Sequence, residues 1–249
     1  MPDGDTFRSP AALAAAALLL AAGLLGAGWF VGRGLIEIRT ADRYVTVKGI
    51  AERDVTADLA IWPLRFLATS NDLAEAQAKI VADTRTVRRF LEDRGIPAEA
   101  IVVDSMAVTD LLAQQYRSGP IESRFIVTGG VTVRTAGVAA LDAASREAAA
   151  LVDAGVVLDN QGSFGGGPSY LFTGLTDIKP EMIAEATANA RRGAEQFAAD
   201  SGAAVGGIRT AHQGLFQILA RDDAPGVTET GEILKTVRVV STIDYYLIE

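Results

Sequence analysis

Reactive and metal-binding side chains are scarce in this chain, which has no cysteine and one histidine, His212, in 249 residues. Without cysteine, the chain has no disulfide, no thiol nucleophile and no cysteine-ligated metal. A metal site at His212 would need partner ligands, and a nucleophilic triad would need a base oriented by a carboxylate. We therefore interpret His212 as a structural or surface residue. The lack of cysteine assigns no compartment, because exported domains of this size can do without disulfides.

An excess of basic charge is also absent. The 23 lysines and arginines are outnumbered by 31 aspartates and glutamates, which gives a net charge of −8. Since nucleic-acid phosphates are bound by a basic stripe, we expect no nucleic-acid partner. With so many carboxylates, neighbours such as Asp153 and Asp159, or Asp177 and Glu181, arise by chance. We interpret them as solvated surface residues and not as a general acid and base.

Phosphate-binding glycine motifs are missing as well. The run Gly165–Gly167 lacks the Lys-Ser/Thr of a phosphate loop and the spacing of a dinucleotide fingerprint, so it is interpreted as a turn before Pro168. Arg191 and Arg192 are predicted to pair within their helix with Glu195 and neighbouring carboxylates, and not to bind a ligand. We therefore assign no catalytic, cofactor-binding or metal-binding residue, and we predict that the chain is not an enzyme.

One long apolar run is present, from Ala11 to Gly32, and it contains only Ala, Leu, Gly, Trp, Phe and Val. As a helix it would reach about 33 Å, enough to cross a hydrocarbon core of about 30 Å. We predict an uncleaved transmembrane anchor, with Trp29 and Phe30 in an interfacial aromatic belt. Two alternatives stay open: a signal peptide cleaved at a weak site formed by Gly26 and Gly28, and a buried helix of a soluble protein.

The orientation of this anchor is not fixed by charge. Arg8 precedes the run, whereas Arg33, Arg39, Arg43 and Lys48 follow it, and a simple positive-inside count would keep the domain in the cytoplasm. Long domains, however, translocate largely regardless of charge. The compartment must therefore come from other features of the chain.

The rest of the chain alternates strand pairs with helices. Hydrophobic periodicity predicts helices at Asp72–Arg94, Val138–Ala154 and Pro180–Gly202. The predicted strands are Tyr44–Lys48, Asp58–Ser70, Ile101–Leu111, Arg124–Arg134, Val156–Phe164, Tyr170–Leu175, Ile208–Leu219 and Leu234–Ile248. Pro63 predicts an edge or a bulge in its strand, and the pair Gly129–Gly130 predicts a bulge or a bend.

Strand pairs between helices favour antiparallel hairpins over a doubly wound parallel sheet. We predict an α+β fold with antiparallel-rich sheets and three helices that cover sheet faces, preceded by one N-terminal transmembrane helix. The expected organisation is a tail at residues 1–10, the anchor at 11–32, a linker at 33–43 and one soluble domain at 44–249. Tyr44–Lys48 and Leu234–Ile248 are the candidates for open sheet edges.

Several segments of the soluble part follow one another in an order that matches a known protein family. They are Tyr44–Glu52, Ala57–Ala60, Leu91–Pro97, the pair Tyr116–Arg117, an alanine-rich third helix and Val237–Leu247. Together with the apolar leader, they resemble the SIMPL-domain family of bacterial envelope proteins over residues 44–249. The helix entry Tyr170–Met182 is similar to a membrane-anchored branch of that family. One departure is that Ser118–Glu122 replaces an asparagine-containing pattern found after the Tyr-Arg pair in many relatives.

The resemblance implies a single-pass protein of the inner membrane with a periplasmic α+β domain. Similar proteins assemble into ring-like homo-oligomers, and some are associated with oxidative-stress tolerance; no catalytic residues come with the resemblance. We therefore expect a non-enzymatic assembly or interaction module of the cell envelope, whose partners are the membrane and further copies of the chain. The alternative is an envelope hydrolase or ligand-binding protein with a site built from residues distant in sequence. A deep pocket with convergent titratable groups would favour that alternative, and extended apolar or strand-edge surfaces would favour assembly.

Overall fold

The structure is a computed structural model that describes residues 10–41, 43–113, 122–159, 167–222 and 224–248. Its helices are α1 Pro10–Ala41, α2 Leu73–Glu92, α3 Val138–Arg146, α4 Ala149–Asp153 and α5 Leu175–Asp200. Its strands are β1 Tyr44–Thr56, β2 Leu59–Ser70, β3 Ile101–Val103, β4 Ala107–Asp110, β5 Phe125–Thr135, β6 Val157–Leu158, β7 Ser169–Leu171, β8 Ala204–Gln213, β9 Gln217–Ala220 and β10 Leu234–Ile248. The predicted α+β class with antiparallel sheets is confirmed.

Helix α1 is the long apolar helix that the sequence predicts. Its segment Leu13–Arg33 has a mean hydropathy of 2.0, and none of it is buried. That exposure contradicts the alternative of a buried soluble helix, and the segment has the length and composition of a membrane anchor or a signal sequence. The helix extends to Ala41, so most of the predicted linker at 33–43 is helical.

The strands form two sheets. A four-stranded sheet has the order β1-β10-β8, with β9 also paired to β10. A six-stranded sheet has the order β3-β5-β2-β6, with β4 paired to β5 and β7 paired to β2. The chain divides into two compact units: Met1–Gly49, Ala186–Gly214 and Ser241–Glu249 make the first, and Ile50–Glu185 and Leu215–Val240 make the second.

The first unit has a small core between helix α5 and the four-stranded sheet. Ala190 and Ala194, both fully buried, pack with Val47, Ile243 and Tyr245. The alternation along β10 explains this arrangement, because successive strand residues point to opposite faces. Tyr245 faces the core, and its neighbour in sequence, Tyr246, is exposed.

The second unit has the larger core, built on the long pairing of β2 with β5. Ala60–Ser70 of β2 pair with Phe125–Thr135 of β5 without a register shift. Their inward residues, among them Trp62 and Phe66, pack against the buried face of α2. Leu73, Ile80 and Val87 are a heptad apart in the sequence, a spacing that predicts one apolar helix face, and Ile80 and Val87 are both buried on it.

The structure has no bulge at Pro63, and it has one opposite the glycine pair. Pro63 lies in an inner strand without a bulge, paired with β5 at Thr132. It is tolerated because, among the described residues, the partners on the other side of β2 stop short of it: β7 pairs with Leu59–Ile61 and β6 with Phe66–Leu67. Gly129–Gly130 pair with β2 without a register shift, and on the other side of β5 residues 104–106 bulge away at this pair. The bulge predicted at the glycines therefore lies in the partner segment and not in β5 itself.

Several predicted elements are shorter or begin elsewhere. The strands predicted at 101–111 and 208–219 are each divided in two, and the helix predicted at 138–154 is interrupted between α3 and α4. Tight turns at Glu147 and Ala148, whose N–H groups bond to Ala144 and Ser145, end α3. Helix α5 begins at Leu175 and not at Pro180, because Asp58 accepts hydrogen bonds from the N–H groups just before it.

Candidate functional site

The side chains singled out in the sequence have ordinary surface settings. His212 lies exposed on β8, opposite Thr242 of β10. Glu181 forms an ion pair with Arg53, with 2.7 Å between Nη1 and Oε2. Among the residues that the structure describes, no group of three or more histidines and carboxylates is placed to hold a metal ion.

The other carboxylates considered as acid and base lie in separate places, each with its own surroundings. Asp153 is exposed at the end of α4, and Asp177 is exposed in the first turn of α5, where a negative charge stabilises the helix. Asp159 is half-buried, and its backbone N–H donates to the carbonyl oxygen of Arg65 at 2.8 Å. None of these positions points to proton transfer.

The intrahelical pairing predicted for α5 is present for Arg191, whose Nε donates to Glu195 at 3.0 Å. Arg192 instead donates to the amide oxygen of Asn189 in the same helix. The remaining sequence features, namely Tyr116–Arg117, Ser118–Ile121 and the glycines at 165 and 166, lie outside the described residues.

The most extended candidate site is the pair of open edges of the four-stranded sheet. In the order β1-β10-β8, strands β1 and β8 are outermost, and no other strand of the described chain pairs with them. The prediction of an open edge is therefore confirmed for Tyr44–Lys48 in β1 but is wrong for Leu234–Ile248, because β10 lies between β1 and β8. Strand β8, which local alternation did not mark as an edge, takes its place.

Strand β8 is exposed on both faces along almost its whole length. Residues 207–213 are all exposed, including Ile208, whose side chain is 51% accessible. Ile208 and Ala211 stand opposite Tyr245 and Ile243, so they lie on the same face of the sheet as the core of the first unit but outside that core. An edge strand with apolar side chains and free ladder groups is a template for adding another strand.

A polar network on the opposite face fixes the register of this sheet. Thr46 of β1 and Thr210 of β8 both donate hydrogen bonds to Asp244 of β10, at 2.7 Å in the case of Thr46. The hydrogen bond from Thr210 has the largest effect on the pKa of Asp244, and with the one from Thr46 it holds that pKa below its usual value. A register shift in β8 leaves Arg209 as an extra residue, and its guanidinium lies 4.0 Å from the centre of the Tyr44 ring.

Two open hollows stand out among the described residues of the second unit. One, of about 320 Å³, is lined in part by Pro63, with Arg65 and Asp159 as the ionisable side chains of its described lining. The other, of about 470 Å³, lies beside Gly130 and includes Arg65 and Asp104. In each hollow, the described lining brings only two ionisable side chains together. In the larger hollow the Thr132 hydroxyl donates to the Asp104 carboxylate at 3.1 and 3.0 Å, and neither described lining contains a histidine or a lysine.

The second unit also buries a lysine that sequence reasoning missed. Lys235 is fully buried, and its Nζ donates to Glu229 at 2.6 Å from Oε1 and to the carbonyl oxygen of the same residue. The alternation that marks Val237 and Val239 as inward residues also includes Lys235, so the pattern contained the signal. The pair joins β10 to the short 3-10 helix Glu229–Gly231 and is a structural contact.

The fold, the apolar first helix and the open sheet edges define an α+β domain that follows a helix long enough to span a membrane. The chain belongs to the SIMPL family, described as "Protein of unknown function (DUF541)", whose family pattern matches residues 45–242. No curated protein matches the chain. Family membership thus agrees with a membrane-anchored envelope protein and supplies no reaction.

Proposed function

We propose that this protein is a single-pass protein of the inner membrane whose domain lies in the periplasm and acts as a non-enzymatic assembly module. The observation that carries the proposal is strand β8, an open edge with exposed side chains on both faces. Exposed edges of this kind are normally blunted by charge, proline or a covering element. Here Arg209 is drawn across the sheet to Tyr44, which leaves Ile208 and Ala211 accessible.

The arrangement of the two edges favours a homo-oligomer. Because β1 and β8 are opposite edges of one sheet, β8 of one copy can add to β1 of the next, which is a heterologous contact. Repetition of such a contact closes a ring when the rotation allows it and otherwise makes a filament. The backbone hydrogen bonds of the added strand and burial of Ile208 would stabilise the contact.

The hydrolase alternative has less support. An active site for acyl transfer needs a nucleophile and a base within hydrogen-bond reach. In the described linings of the two hollows, the Thr132 hydroxyl meets a carboxylate, Asp104, and neither lining contains a histidine or a lysine to act as the base.

Native mass spectrometry of the full-length chain, released from mild detergent, tests the assembly proposal. We expect a defined multimer that Ile208→Lys or Ala211→Lys converts to smaller species. Val81→Lys, at an exposed valine of α2, is the matched control and should leave the multimer intact. A lysine at Thr46 is a poorer probe, because it would lie beside the carboxylate of Asp244. A wild-type chain that is monomeric at micromolar concentration would overturn the proposal.

The membrane placement has its own test. The full-length chain should sediment with membranes and resist extraction by high salt, because α1 has the length of a membrane span. A reporter fused after Glu249 should be active only outside the cytoplasm. A soluble mature chain beginning near Trp29 would show that the segment is a cleaved signal peptide instead.

A further inference from the structure

The larger hollow of the second unit lies on the outer face of the six-stranded sheet. Its volume is about 470 Å³, within the range of small-molecule sites. Arg65 stands opposite Gly130 in the pairing of β2 with β5, and its strand neighbours Leu64 and Phe66 are buried on the other face. Because Gly130 has no side chain, the strand opposite Arg65 leaves room for a side chain from another segment.

The chain between β3 and β4 forms one wall of this hollow. β3 pairs with Val131–Val133 and β4 with Phe125–Thr128, so residues 104–106 bulge away from β5 at the glycine pair. The N–H of Asp104 donates to the carbonyl oxygen of Gly130 at 2.9 Å. A Cβ atom at Gly130 would lie 2.9 Å from Oδ2 of Asp104. Glycine at this position therefore lets the carboxylate lie over the strand.

Two opposite charges line this hollow without neutralising each other. Asp104 accepts a hydrogen bond from the hydroxyl of Thr132, at 3.1 and 3.0 Å from its two oxygens. Within the described part of the chain, the Arg65 guanidinium has no hydrogen-bond or ion-pair partner, and Asp104 has no cationic one. The hydroxyls of Ser105 and Thr128 add uncharged hydrogen-bonding groups to the lining.

We propose that this hollow binds a small molecule with a carboxylate and an adjacent hydrogen-bond donor, an α-amino acid or an α-hydroxy acid. Arg65 pairs with the ligand carboxylate, since a guanidinium presents parallel donors that match its two oxygens. Asp104 accepts from the ligand ammonium or hydroxyl group, while Thr132 holds the Asp104 carboxylate in place. The site does not involve the open sheet edges, so it goes beyond the assembly function and stands or falls separately.

Isothermal titration calorimetry with the full-length chain in detergent tests the site, using ligands that share one carbon skeleton. Alanine, lactate and propionate differ only in the group next to the carboxylate: ammonium, hydroxyl or hydrogen. We expect alanine or lactate to bind at least about tenfold more tightly than propionate, because propionate cannot donate the hydrogen bond to the charged carboxylate of Asp104. Whichever of alanine and lactate binds more tightly shows whether the ligand's hydrogen-bond donor is an ammonium or a hydroxyl group. A second series with leucine, its hydroxy acid and 4-methylpentanoate examines a larger side chain.

Three variants connect that binding to the hollow. Arg65→Gln should weaken binding of the preferred acid at least about tenfold, and Asp104→Asn should weaken the amino acid more than the hydroxy acid. Arg134→Gln is the control, since Arg134 is exposed on β5, opposite Ile61, outside the lining. If Asp104→Asn lowers the melting temperature, Arg65→Gln decides alone, because Arg65 is exposed.

The proposal is overturned if no acid of either series binds below about 10 mM, a Kd that corresponds to roughly −3 kcal/mol. It is equally overturned if propionate binds as well as alanine and lactate, or if Arg65→Gln binds as the wild type does. Loss of the multimer in the β8 variants bears only on assembly, so the two proposals can fail independently.

Discussion

Gly49 of β1 lies so close to α5 that a Cβ atom there would be 1.8 Å from the carbonyl oxygen of Ala186. The same atom would be 2.6 Å from the backbone nitrogen of Ala190. Strand and helix backbones therefore touch in the first unit, which requires glycine on one side and small residues on the other. The contact gives a physical reason for the alanine-rich face of α5, where Ala186, Ala190 and Ala194 are all fully buried.

Gly49→Ala should destabilise the protein by about 3 kcal/mol or more, because the atoms it meets are backbone and cannot rotate away. The free energy of unfolding in urea measures the loss. The control is Gly207→Ala in β8, where nothing of the described structure lies within 4 Å of the added methyl group. We expect a change below about 1 kcal/mol there. Equal losses in the two variants would contradict the close approach.

Asp58→Ala should loosen the start of α5. The Asp58 carboxylate accepts from the N–H of Thr173 at 2.8 Å, from its hydroxyl at 3.1 Å and from the N–H of Gly174 at 3.0 Å. Losing this acceptor should lower the free energy of unfolding by about 1–3 kcal/mol.

Asp54→Ala is the matched control for this cap. Asp54 accepts a single hydrogen bond, from Thr236 at 2.7 Å, on an exposed part of the sheet. Its loss should be smaller, about 0.5–1 kcal/mol, when both variants are unfolded in urea under the same conditions. A larger loss for Asp54→Ala would show that Asp58 does not stabilise the helix start.

Local patterns predicted the parts of this fold that depend on periodicity. The heptad of α2 and the alternation of β10 identified buried faces, because side-chain direction follows from helix and strand geometry. The requirement for glycine at position 129 could not be predicted, because its cause is remote in sequence: a Cβ at Gly129 would lie 2.7 Å from Cγ2 of Ile80 on α2. No pattern around Gly129 records which helix will cover it.

The candidate sites could not be predicted from the sequence, because they depend on the order in which the strands pair. The position of β10 between β1 and β8 made β8 the second open edge, although its own residues show no strict alternation. The hollow at Arg65 requires Asp104 and Gly130 to meet, and they belong to separate strand connections. Arg65, within an otherwise apolar strand, was the local signal that sequence reasoning passed over.

Replacing each partner of the buried pair Lys235–Glu229 should have unequal effects. Glu229→Gln removes the negative charge that faces a fully buried ammonium group, and we expect a loss of about 2 kcal/mol, moderated because Glu229 is one-third exposed. Lys235→Met keeps the volume and removes the buried charge, so its effect should stay within about 1 kcal/mol. Urea unfolding of both variants and of the double variant checks this. A greater loss for Lys235→Met than for Glu229→Gln would refute the argument.

The Tyr170 phenol should make stability fall at high pH. Burial raises the pKa of Tyr170 to about 12, and the hydrogen bond that it donates to Asp142, at 2.8 Å, favours the neutral phenol further. The unfolded chain has the usual tyrosine pKa of about 10, so it loses this proton first as the pH rises. The stabilisation is therefore fully present below about pH 10 and is lost as the pH rises to about 12.

Comparison with Tyr170→Phe isolates this contribution from other groups that titrate at high pH. Between about pH 10 and 12, the free energy of unfolding should fall more steeply for the wild type than for the variant, because only the wild type holds this proton more tightly when folded. In the same range, ultraviolet absorbance of the folded wild type should show a late phenolate step that is smaller in Tyr170→Phe, where Tyr245, whose pKa burial also raises, remains. Asp142→Asn should move that step to lower pH, since it removes the negative charge beside the phenol. Parallel pH profiles for the wild type and Tyr170→Phe would mean that Tyr170 ionises as it does in the unfolded chain, and that its contact with Asp142 does not favour the neutral form.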